Sequence, residues 1–261
     1  MVGWEIVAKH KYRAEMEDRI KALQANEVEA VWSKEEQADL RSLSGKARRA
    51  IHLQCANGYD TLFLLSLGIG EVVGVDISEE MITQAREIST KLRAAAEWYC
   101  CDVLETPQYL NDTADLVYTG GGALPWIMDI ETWAKVVARL LRPGGKLYLN
   151  ENHPLSFLWE VESEDYKLSP GIAYCDGGIV EDRGYPASRI ALHSESDTRP
   201  AMRERIWPLG DVINSLISAG LVINYFNESN DPGWAAFPNM PDETLHRLPH
   251  RYVLHAEKST T

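Results

Sequence analysis

The 261-residue chain has only four cysteines, Cys55, Cys100, Cys101 and Cys175, and none falls in a CxxC or Cys/His pattern. That argues against a zinc ribbon, and the adjacent Cys100 and Cys101 would point to opposite faces of a strand, so reduced, buried thiols are expected. No apolar run approaches a membrane span, and "MVGWEIVAKHKYRAEMEDRI" lacks the continuous apolar core of a secretory signal. A cytoplasmic protein without membrane contact is the expectation. Cations are short too: 26 Lys and Arg stand against 39 Asp and Glu, a formal charge of −13. Neutralising a nucleic-acid backbone needs clustered Lys and Arg, so nucleic acid is not an expected partner.

What is present is an ordinary globular composition, 45% apolar and 25% charged, in a chain long enough for one sizeable core. Residues 1–45 are charged and helix-favouring, with Trp4, Tyr12, Met16, Ile20 and Trp32 spaced as on amphipathic helices, and read as a helical cap. From there to 151, short β-rich runs alternate with helical periods: "AIHLQC" (50–55), "EVVGVD" (71–76), "AEWYCCD" (96–102), "ADLVYT" (114–119) and "GKLYLNE" (145–151). This alternation predicts a parallel sheet with crossover helices. Ser78 suits the N-cap of a helix whose Glu79 and Glu80 favour the positive end of its dipole and whose Ile82, Ala85, Ile88 and Leu92 form a buried stripe. A second helix runs from Ile130 to Leu141 and stops at the turn "RPGG".

Between 152 and 207 the periodicity fades, with weak strand-like pieces at "GIAYC" and "SRIALH", and the stretch reads as an insertion forming a substrate lid. Residues 208–261 return to pattern with a helix at 209–221 and strands "VINYF" and "RYVLHAE".

In an open α/β sheet, ligands bind beyond the C-terminal ends of the strands. Gly58 lies in the first such turn, Asp76 closes the second strand, Asp102 closes the third, and "TGGGALPW" follows the fourth. Together these outline a nucleoside-shaped pocket, in which a carboxylate at 76 is placed to accept both hydroxyls of a ribose. Each also has a structural reading, as a turn glycine or a helix cap.

The segments "AIHLQCANGYDT", "VVGVDISEEMITQARE", "CCDVLE" and "LLRPGGKLYL" resemble the class I methyltransferases that use S-adenosyl-L-methionine. Within that class, "HLQC" followed by "DTL", then "GALPWIMDIETWAKVVARLLRPGG" and "HP", is similar to a branch of small-molecule methyltransferases. The resemblance implies a Rossmann-like, seven-stranded, mostly parallel sheet with helices on both faces and the last strand antiparallel. It also implies S-adenosyl-L-methionine as cofactor, with the backbone of Gln54, Ala56 and Gly58 beside its methionine part and Asp76 on the ribose. Ile77 would then cover one adenine face, Asp102 would meet the adenine amino group with the Cys101 and Val103 backbone nearby, and Thr119 and Gly120 would lie near the sulfonium. The class usually has an acid at position 52 and glycines at 54 and 56, whereas this chain has His52, Gln54 and Ala56.

Methyl transfer by in-line displacement asks an enzyme mainly to align donor and acceptor and exclude water. A base is needed where the acceptor must lose a proton; His153, with Glu151 two residues earlier, is the candidate, against the reading that His153 merely fixes the entrance to the insertion. Tyr12, Tyr118 and Trp126 are aromatic candidates for the sulfonium's surroundings, and Tyr12 and Trp126 are also candidates for contact with the acceptor. Trp159 and Trp207, with Tyr166, Tyr174, Tyr185 and Trp234, suit a flat apolar acceptor or else a small core of the insertion. No metal set can be assembled from the acids, and a homodimer is the assembly considered. The expected activity is transfer to oxygen or nitrogen of a small molecule in secondary metabolism. The alternatives are a non-catalytic methyltransferase-like binding protein and a nicotinamide-dependent oxidoreductase, which would need a G-x-G-x-x-G turn that "QCANGYD" does not supply.

Overall fold

The computed structural model describes residues 2–45, 47–182, 200–232 and 237–260. The apolar runs become β1 (Arg49–Leu53), β2 (Glu71–Asp76), β3 (Ala96–Cys100), β4 (Ala114–Gly120) and β5 (Leu141–Asn152). After them come a separate antiparallel pair, β6 (Ile179–Asp182) and β7 (Met202–Arg205), and then β8 (Leu221–Ser229) and β9 (Arg251–Lys258). Seven strands form one sheet in the order β3-β2-β1-β4-β5-β9-β8. The pairs among the first five are parallel, and β9 runs antiparallel to both its neighbours, so it alone is reversed. The order turns back between β1 and β4, which is where crossovers diverge and leave a crevice.

Strand periodicity explains why both faces are covered. Ile51 and Leu53 of β1 pack on one side with Val117, Leu147 and Leu149, while Ala50 packs on the other with Val72, Leu116 and Tyr148. The helices are α1 (Val2–Val7), α2 (Arg13–Ala25), α3 (Lys34–Ser44), α4 (Tyr59–Phe63), α5 (Glu79–Leu92), α6 (Ile130–Leu140), α7 (Leu209–Ser218) and the single turn α8 (Asp242–Leu245). Trp133 and Val137 of α6 and Val212 and Leu216 of α7 cover the first face; Ile82, Ala85 and Ile88 of α5, with Met16, Ile20 and Leu40 of α2 and α3, cover the second. Ser78 caps α5 as its sequence predicts, its hydroxyl accepting from Met81 N at 3.2 Å.

Three expectations change. "RPGG" is not a plain turn, because Leu141 already pairs with Ala114 and the ladder resumes at Lys146 opposite Leu116, so Pro143 and Gly144 bulge out of β5. "GIAYC" is a series of turns, and the strand of that region is the next run, β6; "SRIALH", Tyr185 and Trp234 lie outside the described residues. All four cysteines are free thiols, but only Cys55 is buried; Cys101 is half-buried and Cys100 and Cys175 are exposed. Among the described residues, no helix is long and apolar enough to cross a membrane and no acid, His or Cys cluster could hold a metal ion.

Candidate active site

The chain leaves β1 through Gln54 (φ 58°) and Ala56 (φ 47°), both in the left-handed region. Side-chain-bearing residues pay roughly 1–2 kcal/mol there, which explains why glycine is usual at these positions. The loop is held against that strain by hydrogen bonds: Gln54 Nε2 donates to the Ala123 carbonyl at 2.7 Å, Ala56 N to Asp76 Oδ2 at 2.9 Å and Cys55 N to the Val75 carbonyl at 3.0 Å. Gly58 (φ 74°) has a different reason to be glycine, since a Cβ there would run into the Trp98 ring. It does not line the cavity described below, so its close approach is to the protein's own tryptophan.

His52 is buried, with Nδ1 2.7 Å from Thr61 Oγ1 and its ring edge-on to Tyr118 at 4.6 Å. It therefore ties β1 to α4. Burial pushes its pKa from 6.5 down to about 3, so it stays neutral. Below pH 6.5 the unfolded chain takes up a proton that the folded chain refuses, so stability present above that pH is lost as pH falls towards 3. Between pH 7 and pH 5 this group alone costs about 2 kcal/mol. Burial also lowers His153, His250 and His255, which add in the same direction. The check is therefore the difference in slope: urea unfolding at the two pH values is expected to show a smaller loss in His52→Asn than in the parent.

A cavity of about 720 Å³ opens at the C-terminal ends of β1, β2 and β4. Of the residues singled out from sequence, Gln54, Ala56, Asp76, Ile77, Asp102, Val103 and Gly120 line it, as do Tyr12 and Trp126. The second carboxylate oxygen of Asp76 accepts from Ser78 N at 2.9 Å, so this acid clasps both the first loop and the start of α5. Burial pushes its carboxyl up, opposed by those amide donors. Asp102 lies just past the end of β3 rather than closing it; Oδ1 accepts from Leu104 N at 2.9 Å, and Oδ2 accepts nothing from the described residues. Ile77 is 40% exposed, an apolar surface turned to the cavity between the two acids. Gly120 is glycine because a Cβ would overlap the Asn150 carbonyl, whereas one at Gly121 would meet nothing within 4 Å.

The other candidates lie elsewhere. Glu151 does not line the cavity: its buried carboxylate accepts from Gly122 N (2.7 Å), Leu124 N (2.8 Å) and Asn152 N (2.6 Å), shaping the loop after β4 from behind. His153 is also buried and off the cavity. Its Nδ1 accepts from Leu155 N at 3.2 Å, which leaves Nε2 to donate to Glu228 Oε1 at 2.8 Å, so both ring nitrogens have partners within the fold, which favours the reading of His153 as fixing the entrance to the insertion. Trp207 belongs to the core, its Nε1 donating to the Ile127 carbonyl at 2.8 Å, and Trp159 packs edge-on against Tyr166 at 5.0 Å; neither lines the cavity. Thr119 is fully buried and Cys101 packs against the core, and neither lines the cavity.

Sequence reasoning missed Trp4, Arg19, Tyr59, Asp60, Met128 and Met202, all on the cavity wall. "YD" directly after Gly58 was the available signal for two of them. The rest come from elements folded over the strand ends. A π-helical turn, Ala8–Tyr12, joins α1 to α2, and these are pinned to α5 by Arg13 with Glu80 and Glu87 (both 2.6 Å) and by Gln84 Nε2 donating to the Ala8 carbonyl at 2.9 Å. Trp4 then meets Trp126 edge-on at 5.0 Å, and Gly3 lies so close to Met202 that a Cβ would overlap its sulfur.

Residues 50–145 match the family model described as a methyltransferase domain. A stretch of 106 residues is 26% identical to the biotin biosynthesis bifunctional protein BioHC of Cellvibrio japonicus, covering 41% of this chain and only 20% of that protein. Among solved structures, an S-adenosylmethionine dependent methyltransferase from Mesorhizobium loti superposes with a TM-score of 0.59 at 20% identity, over 85% of this chain and 96% of that one. Geranyl diphosphate C-methyltransferase from Streptomyces coelicolor, solved with S-adenosyl-L-homocysteine, Mg²⁺ and a substrate analogue, gives 0.56 at 16% identity, over 85% and 76%. With the sheet order above, the match over residues 50–145 makes this part of the chain similar to a methyltransferase domain, and the superpositions give the chain the Rossmann-like fold of the S-adenosylmethionine-dependent methyltransferases.

Proposed function

We propose that the chain transfers a methyl group from S-adenosyl-L-methionine to oxygen or nitrogen of a small-molecule acceptor, within the branch that carries an HLQC-type first motif. The observation that carries this reading is one cavity at the sheet's switch point, large enough for a nucleoside and a second molecule, with Asp76 and Asp102 on its wall.

The residues present fit the cofactor. Asp76, its oxygens each holding one amide, keeps lone pairs for two ribose hydroxyls. Ile77 and Val103 offer apolar surface for a base, and the free oxygen of Asp102 suits its amino group. Backbone at Gln54, Ala56 and the open Gly121 flanks the remaining arm. When bound, the cofactor supplies a methyl group already activated on a sulfonium. Trp4, Trp126, Met128 and Met202 form an apolar wall that suits a flat, weakly polar acceptor and excludes water. These four side chains carry no base, so what they contribute is alignment.

The left-handed Gln54 and Ala56 favour one other reading, a methyltransferase-like protein that binds the cofactor without turnover. Incubation with methyl-labelled S-adenosylmethionine and a panel of flat apolar phenols and amines separates the two. Label in an acceptor with matching S-adenosylhomocysteine is the expected result; cofactor binding with no transfer to any acceptor supports the binding protein.

A further inference from the structure

Two opposite charges face the cavity without pairing with each other. Arg19 of α2 and Asp60 of α4 both line it, yet they form no ion pair within 4.0 Å. Arg19 is fixed in orientation: Glu15 accepts from its Nε at 3.2 Å and Nη2 at 2.7 Å, and the guanidinium lies 4.8 Å from the ring centres of both Tyr12 and Tyr59. Its Nη1 edge donates to nothing among the described residues. Asp60 accepts no hydrogen bond from a described residue either. Its surroundings are dense, so that burial pushes its carboxyl up while Arg19 pulls it down, and its open side is the cavity. A shielded carboxylate without a donor is costly to keep, and a guanidinium edge stacked between two rings and left unfilled is a preformed anion site. Neither group is needed for the nucleoside, whose hydroxyls and base have Asp76, Asp102 and Ile77.

We propose that Arg19 and Asp60 form a zwitterion clamp, Arg19 taking the α-carboxylate and Asp60 the α-ammonium of the cofactor's amino-acid arm. The inference rests on the reading of this cavity as the S-adenosylmethionine site. The clamp selects a nucleoside that carries an intact amino acid. Because Arg19 belongs to the helices folded over the strand ends, it also joins that cover to the bound ligand.

Calorimetric titration of the full chain with S-adenosylhomocysteine, which has the arm, and with 5′-methylthioadenosine, which lacks it, tests the clamp. Arg19→Met and Asp60→Asn are each expected to weaken S-adenosylhomocysteine roughly 10- to 100-fold and to leave 5′-methylthioadenosine unchanged. The decarboxylated analogue separates the two roles, since its affinity should fall with Asp60→Asn and not with Arg19→Met. Equal losses for both ligands, in variants whose melting matches the parent, would mean that Arg19 and Asp60 only shape the wall and would overturn the clamp. An undiminished affinity for S-adenosylhomocysteine would overturn it too. A parent chain that binds neither ligand overturns the cofactor reading itself, which is a different failure.

Discussion

Asp76→Ala is expected to lower the affinity for S-adenosylhomocysteine by roughly two orders of magnitude, about 3 kcal/mol, with turnover falling at least as far. Two losses combine. On the proposed reading the ligand loses the acceptor for its ribose hydroxyls, and the loop after β1 loses its clasp, since Ala56 N and Ser78 N both donate to this carboxylate. Ala56 sits in the left-handed region, so its geometry depends on that hydrogen bond more than a glycine's would. Asp76→Asn separates the contributions. An amide has one oxygen where the carboxylate has two, so its NH₂ must face either Ala56 N–H or Ser78 N–H, and the loop is disturbed even though a hydroxyl acceptor remains. Its affinity should fall between those of the parent and the alanine variant, read by the same calorimetry.

Glu151→Ala is expected to cost about 3–5 kcal/mol of folding stability, because three backbone N–H groups lose their acceptor in a buried setting where each unsatisfied donor costs about 1–3 kcal/mol. The three donors belong to Gly122, Leu124 and Asn152, so the damage falls on the loop that follows β4 and lines the cavity. Glu151→Gln keeps the size but turns an NH₂ towards one of those donors, and should lose less than alanine does. Urea unfolding gives the size of both effects. Were Glu151 instead a residue that touches the acceptor, Glu151→Gln would keep parental stability and lose turnover.

The sheet was legible because each strand is a short apolar run bounded by polar residues, and because Ser78, Glu79 and Glu80 mark the start of α5 by local chemistry alone. Asp76 and Asp102 were legible for the same reason, as acids at or just past strand ends. The structural demand on Gly58 is not legible, because the ring that would meet a Cβ there, Trp98, arrives from a strand forty positions later. For His153 and Glu151 the sequence leaves a chemical and a structural reading open, because their partners, Glu228 and the amides of Gly122 and Leu124, are distant in sequence. Arg19 and Trp4 gave no signal, since a charged helical stretch looks the same whether it faces solvent or folds over a cavity. Gln54 and Ala56 are the instructive departure: the left-handed turn is kept without glycine, and Gln54 uses its side chain to tie the loop to Ala123.

The central claim is that this cavity binds an S-adenosyl nucleoside despite the altered first motif. Its most direct test is calorimetric titration of the purified chain with S-adenosylhomocysteine beside NADH. Saturable one-site binding of S-adenosylhomocysteine, weakened by Asp76→Ala, and no binding of NADH is the predicted result. Binding of NADH, or no heat with S-adenosylhomocysteine, would contradict it.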